Sequence, residues 1–169
     1  MRQVKINSTI GSEIVSSADL KLYARIDTSA DDALITRMIT QARIWCENYI
    51  SRDIVSKNRS YFLDATNGLF SIPFGPVSSI TSIVANLITV TFTNIGLDNE
   101  TIELDGGPAV NVTVVYITSG LNDSLLQQAI LQLAATYYEN RSDFVTGTIT
   151  SDISTDTRDI LNSYKAMFL

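Results

Sequence analysis

Between residues 17 and 51 the spacing of apolar residues predicts two helices separated by a short turn at Asp27-Thr28. Ser16 or Ser17 is in position to cap the first helix, and Ser29 with Asp32 three residues later forms an approximate capping box for the second. The second helix is predicted to be amphipathic. Its polar side includes Glu47, and its apolar stripe consists of Leu34, Ile35, Met38, Ile39, Ala42, Trp45, Cys46, Tyr49 and Ile50.

From residue 60 to residue 118 the pattern changes to that of strands. Short segments rich in Ile, Val, Thr, Phe and Tyr are separated by Asn, Gly and Pro, which predicts strands near 60–64, 69–72, 78–84, 87–93, 101–104 and 109–117. Ile88, Val90 and Phe92 alternate with threonines, so 87–93 is expected to be one strand with one buried face. The sheet is expected to be mainly antiparallel.

A third helix is predicted over residues 123–140, where apolar residues recur at four-residue steps and no charge lies between Asp123 and Glu139. Because its remaining positions are glutamines and a threonine, this helix is expected to be covered on more than one side, by its own domain or by a neighbouring copy. Residues 142–155 suggest an extended arm. A short final helix then begins near Thr155 or Asp156 and carries the apolar residues Ile160, Leu161, Tyr164, Met167 and Phe168.

Together these elements predict an α+β fold: a mainly α-helical bundle with an inserted, mainly antiparallel β region, forming a single domain over residues 1–169. The bundle comprises the helices in 17–51, the helix 123–140 and the terminal helix within 142–169, and the β region spans 60–118. The N-terminus lacks the apolar core of a signal peptide, and no run of about 20 apolar residues follows. Secretion and membrane spanning are therefore not expected.

Composition excludes several kinds of chemistry. The 169 residues include no His and one Cys, so imidazole-based catalysis, His-ligated metals and internal disulfides are excluded. With 12 Lys and Arg against 18 Asp and Glu, the net charge is -6, which argues against a protein that holds nucleic acid through its phosphates. Charged residues make up only 18% of the chain, and none occurs from Ala65 to Leu97. This scarcity of surface charge favours oligomerisation.

The acidic residues form no convincing catalytic or metal-binding pattern. Asp27, Asp31 and Asp32 surround a helix start and are interpreted as caps and partners of the helix dipole. Asp152, Asp156 and Asp159 lack the glycine and terminal glutamate of a calcium loop and are also interpreted as helix-start residues. Cys46 is predicted to be a buried apolar residue. Catalytic residues, cofactors and bound metals are therefore not expected. The alternatives are a carboxylate-dependent cytosolic hydrolase, which needs Glu47, Glu103 and Glu139 to converge, and a small-ligand binding module.

Three segments in this order carry a family resemblance: SADLKLYARIDTSADDALITRMITQARIWCENYI, FSIPFGPVSSITSI and VTVVYITSGLNDSLLQQAILQLAATYYENR. Over about residues 17–141 the chain resembles the head-tail connector (adaptor, or head-completion) proteins of long-tailed bacteriophages, prophages and gene transfer agents. The combination consists of a Leu-x-x-Tyr-x-Arg-Ile-Asp start, an Ile-Pro-x-x-Pro-Val turn and a closing Tyr-Tyr-Glu-Asn-Arg. Residues 142–169 depart from the family pattern.

The resemblance implies a structural virion protein without catalytic activity, made in the host cytoplasm and located in the neck. Such adaptors form a ring, usually twelve-fold, that docks under the portal protein and continues the DNA channel towards a stopper or tail-completion protein. Positions expected at the ring interface are Gln128, Gln132, Tyr137, Tyr138, Glu139 and Arg141. Positions expected to dock to the portal are Ile160, Leu161, Tyr164, Met167 and Phe168. DNA is expected to pass through without sequence-specific binding. A neck stopper or tail-completion protein is the close alternative.

Overall fold

The computed structural model describes residues 1–96, 99–140 and 155–165, with the side chain of Thr155 left out. The chain divides into two compact units, each assembled from two separate segments. A strand unit comprises Met1–Ser12 and Val55–Leu121, and a helical unit comprises Glu13–Ile54 and Asn122–Leu169. The predicted α+β class is confirmed, and the strands pair antiparallel. The prediction of a single domain over residues 1–169 concerns both units together, and it stays a prediction.

In the described residues the helical unit contains α1 (Ser17–Ala24), α2 (Asp32–Ile50), α3 (Ser124–Glu139) and α4 (Thr155–Asn162). The first three predicted helices are confirmed to within a few residues. The final helix begins where predicted, but its described part ends at Asn162, so Tyr164 lies in the turn that follows it. Ser16 caps α1 in a capping box with Asp19, as the sequence allowed. The capping box predicted for α2 is wrong. The cap position is Asp31, whose side chain makes no capping bond, and the Asp32 carboxylate instead accepts a hydrogen bond from Lys21 Nζ at 2.7 Å.

The core of the helical unit forms where the apolar sides of its helices meet. The apolar stripe predicted for α2 is mostly buried, and α3 contributes a second set of buried apolar residues. Glu47 departs from the prediction: it was assigned to the polar side of α2, yet it is only 2% exposed. Buried apolar residues of this unit are Val15, Leu20, Ile35, Met38, Ile39, Ala42, Cys46, Ile50, Ile54, Leu126, Ala129, Ile130, Leu133, Ala134, Ala135 and Leu161.

In the strand unit the described residues form two sheets. The five-stranded sheet has the order β1-β2-β8-β4-β5, and the three-stranded sheet has the order β3-β7-β6. The strands are β1 (Arg2–Thr9), β2 (Lys57–Thr66), β3 (Leu69–Ser71), β4 (Val77–Ala85), β5 (Ile88–Thr89), β6 (Phe92–Ile95), β7 (Thr101–Leu104) and β8 (Ala109–Thr118). Alternating residues of these strands, among them Tyr61, Leu63, Ile83, Val114 and Tyr116, form one buried core.

Two features of the strand unit differ from the prediction. β1 was not predicted; it is an exposed edge strand paired with β2. The strand predicted over 87–93 is wrong as a single element, because β5 joins the five-stranded sheet and β6 joins the other. Val90 and Phe92 pack against the core as the alternation indicated, whereas Ile88 is 70% exposed. The predicted arm over 142–155 lies almost wholly outside the described residues.

Candidate assembly surfaces

The solvent side of α3 is an almost uncharged stripe. Leu125, Gln128, Gln132, Thr136 and Glu139 follow one another at spacings of three and four residues, which places them on one face of the helix. Leu125, Thr136 and Glu139 are exposed, and the two glutamines are half-buried. We call these five residues the α3 outer stripe. It includes Gln128, Gln132 and Glu139, three of the residues predicted for the ring interface, although Gln132 Oε1 already accepts a hydrogen bond from the buried Thr157 of α4.

The two tyrosines predicted for that interface point towards neighbours in their own unit. The Tyr138 hydroxyl donates to Asp31 Oδ2 at 2.8 Å. Tyr137 is half-buried, and burial, followed by the nearby Cys46, raises the pKa of its phenol. These side chains therefore help to hold α3 within the helical unit. Arg141 lies outside the described residues.

Helix α4 is held on the helical unit mainly by polar contacts. Thr157, which is 1% exposed, donates its hydroxyl to Gln132 Oε1 at 2.9 Å, and the Tyr49 hydroxyl donates to Asn162 Oδ1 at 2.9 Å. Leu161 is fully buried and supplies the apolar anchor. Of the residues predicted for portal docking, Ile160 and Tyr164 are half-buried, and Met167 and Phe168 lie outside the described residues.

The end of α4 is tied to the start of α3 through one carboxylate. Asp123 Oδ1 accepts the backbone N–H of Leu125 at 2.8 Å and the hydroxyl of Tyr164 at 2.6 Å. The hydrogen bond from Tyr164, followed by the one from Leu125, lowers the pKa of Asp123. The same hydrogen bond raises the pKa of Tyr164 to about 12. Asp123 is thus both the cap of α3 and an attachment point for the chain that follows α4.

A buried ion-pair cluster holds α2 in place. Arg43 Nη1 donates to Glu47 Oε2 at 2.7 Å, and Arg43 Nε donates to Glu13 Oε2 at 2.8 Å. Glu47 Oε1 also accepts the backbone N–H of Ile54 at 3.0 Å. The i,i+4 spacing of Arg43 and Glu47 along α2 is typical of a helical ion pair, but no local signal links either residue to Glu13. These contacts all join residues of the helical unit, so the cluster acts as a structural support for α2.

The other chemical candidates, Cys46 and three glutamates, differ in burial. Burial raises the pKa of the Cys46 thiol to about 12, so it is not a nucleophile at neutral pH. Glu47 lies in the buried cluster, Glu139 is exposed at the end of α3, and Glu103 is exposed on β7 in the other unit. Within the described ranges, no group of three or more potential ligands could hold a metal ion, and no helix is long and apolar enough to cross a membrane.

The fold occurs in solved particle structures. A chain in the neck of an empty GTA particle, computed with C6 symmetry, superimposes with a TM-score of 0.77 at 18% identity, covering 99% of this chain and 97% of that one. A chain in the virion of a native gene transfer agent (GTA) particle has a TM-score of 0.71 at 16% identity, with coverage of 99% and 97%. A chain in the neck of a native GTA particle, computed with C12 symmetry, has a TM-score of 0.67 at 17% identity, with coverage of 96% of each.

At such identities the superpositions establish a shared fold. No curated protein sequence matches the chain. A family model described as phage gp6-like head-tail connector protein matches residues 18–106, which is just over half of the sequence and extends from α1 to the turn after β7. The protein therefore belongs to the phage gp6-like head-tail connector family, a family of structural proteins rather than enzymes.

Proposed function

We propose that this protein forms a ring-shaped adaptor in the neck of a virion, where it docks on the portal protein and continues the DNA channel towards the tail. The observation that carries this proposal is the family match over residues 18–106. The shared fold supports it, because relatives with that fold occur in particle necks computed with C6 and C12 symmetry. Cyclic symmetry requires each copy to contact its neighbours through surfaces that repeat around the axis.

The α3 outer stripe is the surface that we propose for part of the ring contact. A stripe with an exposed leucine and amide side chains can be covered by a second copy with little loss of charge hydration. Tyr137 and Tyr138 contribute by fixing α3 in its own unit, and Arg141 extends the same segment in sequence. Replacing Gln128 with Glu should weaken assembly through like-charge repulsion, whereas the same change at Gln41, an exposed residue of α2, should not.

For portal docking we propose α4 and the residues that follow it. Leu161 secures α4 in its own unit, which leaves the outer sides of Ile160 and Tyr164 and the apolar residues Met167 and Phe168 for the portal protein. Deleting residues 166–169 should abolish portal binding while the helical circular dichroism stays unchanged, because Leu161 and the Tyr164–Asp123 bond remain. Portal binding at full strength after this deletion and after deletion of 155–169 would exclude the C-terminus as the docking element.

The acidic composition suits a channel through which DNA moves. A net charge of -6 gives no general attraction for phosphates, so DNA can slide past without being held. The relevant measurement is binding of double-stranded DNA to the assembled ring at physiological salt. We expect no sequence-dependent retention, and tight binding to a preferred sequence would contradict a passive channel.

Native mass spectrometry with and without the portal protein tests the adaptor role. We expect a closed ring in at least one of the two conditions, with twelve copies if the ring matches the C12 relative. A chain that stays monomeric in both conditions and does not bind the portal protein would overturn the proposal. Cross-linking to tail-tube proteins in place of the portal would instead assign the chain to the stopper or tail-completion layer.

A further inference from the structure

The β4–β5 hairpin ends in an apolar tip that is exposed to solvent. Asn86 and Leu87 form the two-residue turn with φ of 52° and 69°, the signature of a turn that usually carries Asn followed by Gly. Leu87 is 97% exposed and Ile88 is 70% exposed. A leucine with left-handed backbone angles is less stable than glycine in the same position. Because the Leu87 side chain is exposed, no burial of apolar surface offsets this strain. Burial against another molecule would offset that cost.

The base of the hairpin is fixed, so the tip is presented in one position. The backbone N–H of Asn86 donates to the Asn111 carbonyl at 3.4 Å, and Asn111 Nδ2 donates to Asn86 Oδ1 at 3.2 Å. Ala85 pairs with Ile88 across the turn. A preorganised apolar tip loses little conformational entropy when it is bound. It is therefore suited to insertion into a groove.

The helical unit carries an open groove of about 370 Å³ along α1 and α3. Its lining residues are Ile14, Val15, Asp19, Leu22, Tyr23, Gln127 and Leu131. Leu22 is 84% exposed although its neighbour Leu20 is fully buried, so α1 is apolar on two sides. The one charged lining residue is Asp19, and its carboxylate is engaged by the backbone N–H and the hydroxyl of Ser16.

We propose that the Leu87–Ile88 tip of one copy docks into the α1–α3 groove of the next copy around the ring. This inference rests on the proposed ring function. A closed ring of identical chains needs two different, mutually complementary surfaces on each copy, and a tip with a groove provides such a pair. The groove also adjoins the α3 outer stripe, because Gln127 precedes Gln128 and Leu131 precedes Gln132 along α3. One neighbouring copy can therefore cover both.

Charge and size both favour the Leu87–Ile88 tip of another copy as the occupant of the α1–α3 groove. Copies with a net charge of -6 repel one another, so contact is least costly where neither surface adds an unpaired carboxylate. The tip lies in the uncharged stretch from Ala65 to Leu97. If each of the eight side-chain carbons of Leu87 and Ile88 occupies about the 30 Å³ of a liquid water molecule, the pair needs roughly 240 Å³. The groove accommodates that volume.

Cysteine cross-linking in the assembled ring tests the contact, with the portal protein present if assembly requires it. A chain carrying both Leu87→Cys and Leu22→Cys should cross-link into a ladder that ends at the ring number. Each single variant should stay uncross-linked, because the native Cys46 is buried. The matched control combines Leu22→Cys with Ile6→Cys, an exposed apolar residue on β1 at the opposite edge of the five-stranded sheet, and it should give no ladder.

The outcomes separate this contact from the adaptor role. A ring seen by native mass spectrometry without a ladder from the double variant would overturn the docking contact and leave the adaptor role standing. Dimers formed by Leu87→Cys alone would indicate a two-fold contact and would also overturn it. If no ring forms under any condition and the portal protein is not bound, both proposals fail.

Introducing a charge at the tip provides a second test that does not depend on cross-linking. Leu87→Asp should weaken ring assembly roughly tenfold or more, since it removes an apolar anchor from a pocket. The circular dichroism spectrum should be unchanged because the side chain is exposed. Combining Leu87→Asp with Leu22→Lys should restore part of the loss, while Ile6→Asp should leave assembly unchanged. Equal effects of Leu87→Asp and Ile6→Asp, or no rescue by Leu22→Lys, would contradict the docking contact.

Discussion

The substitution Arg43→Met should destabilise the helical unit strongly, because it removes one partner of a buried ion pair. The side chains of Arg43 and Glu47 are 6% and 3% exposed, and their atoms lie 2.7 Å apart. Glu13, the second partner of Arg43, is 28% exposed and can be rehydrated at lower cost. Methionine is long and apolar enough to replace the stem of arginine, so the change tests charge rather than volume.

Breaking a buried pair by removing one partner costs about 3–5 kcal/mol, since the other charge stays buried. The Ile54 N–H still donates to Glu47 at 3.0 Å, so we expect the lower end, about 3 kcal/mol. For a chain of this length, 1 kcal/mol corresponds to roughly 2–4 °C in Tm, which predicts a loss of about 6–12 °C. The double variant Arg43→Met with Glu47→Leu removes both buried charges and should stay within about 2 kcal/mol of the wild type.

Urea unfolding followed by fluorescence is the suitable assay, because Trp45 is the single tryptophan and lies on α2 between the two charged residues. The matched control is Lys21→Met, which breaks a pair whose side chains are 23% and 53% exposed and should cost about 1 kcal/mol or less. Equal losses for Arg43→Met and Lys21→Met would refute the reasoning. So would a double variant that is less stable than Arg43→Met alone.

Three further predictions concern single groups. Cys46 should react with a thiol reagent only as fast as the helical unit opens, because its side chain is fully buried and burial raises its pKa to about 12; rapid labelling of the native chain would contradict this. Since the pKa of Asp123 is lowered in the folded state, its contribution to stability is present above the unfolded value of 3.8 and is lost as pH falls through the folded value. Protection of α4 from proteolysis should therefore decrease in acid, and Asp123→Asn should show less of this pH dependence. Finally, Leu87→Gly should stabilise the unassembled chain by about 1 kcal/mol in thermal unfolding, because glycine suits a φ of 69°; a loss of stability would show that Leu87 is supported by its own chain.

Helical periodicity was a reliable guide because α2 and α3 each bury one apolar face within the helical unit. Ser16, one of the two serines predicted as a cap, also marks the start of α1. Glu47 was misplaced because its burial depends on Arg43 and on Glu13, which lies 30 residues from Arg43 in sequence. The failed capping box has a similar cause, since Asp32 pairs with Lys21 of α1 rather than with its own helix start.

Strand prediction failed where the alternation of apolar and polar residues did not determine which of the two sheets a segment joins. Ile88, Val90 and Phe92 alternate regularly, but the Val90 N–H bonds to Ile83 while the Thr91 carbonyl accepts the Asp105 N–H, so the chain passes from one sheet to the other. β1 was missed although Val4 and Ile6 alternate with polar residues, a weak signal in a strand that is exposed throughout. For the assembly surfaces, the uncharged character of α3 was evident in the sequence. The groove and the left-handed Leu87 require tertiary structure.

The adaptor role depends most directly on whether the protein is a stoichiometric part of the particle neck. Purified particles can be analysed by quantitative mass spectrometry with isotope-labelled reference peptides from this chain and from the portal protein. A ring that matches the C12 relative predicts twelve copies per particle. Absence of the chain from purified particles that contain the portal protein would contradict the adaptor role.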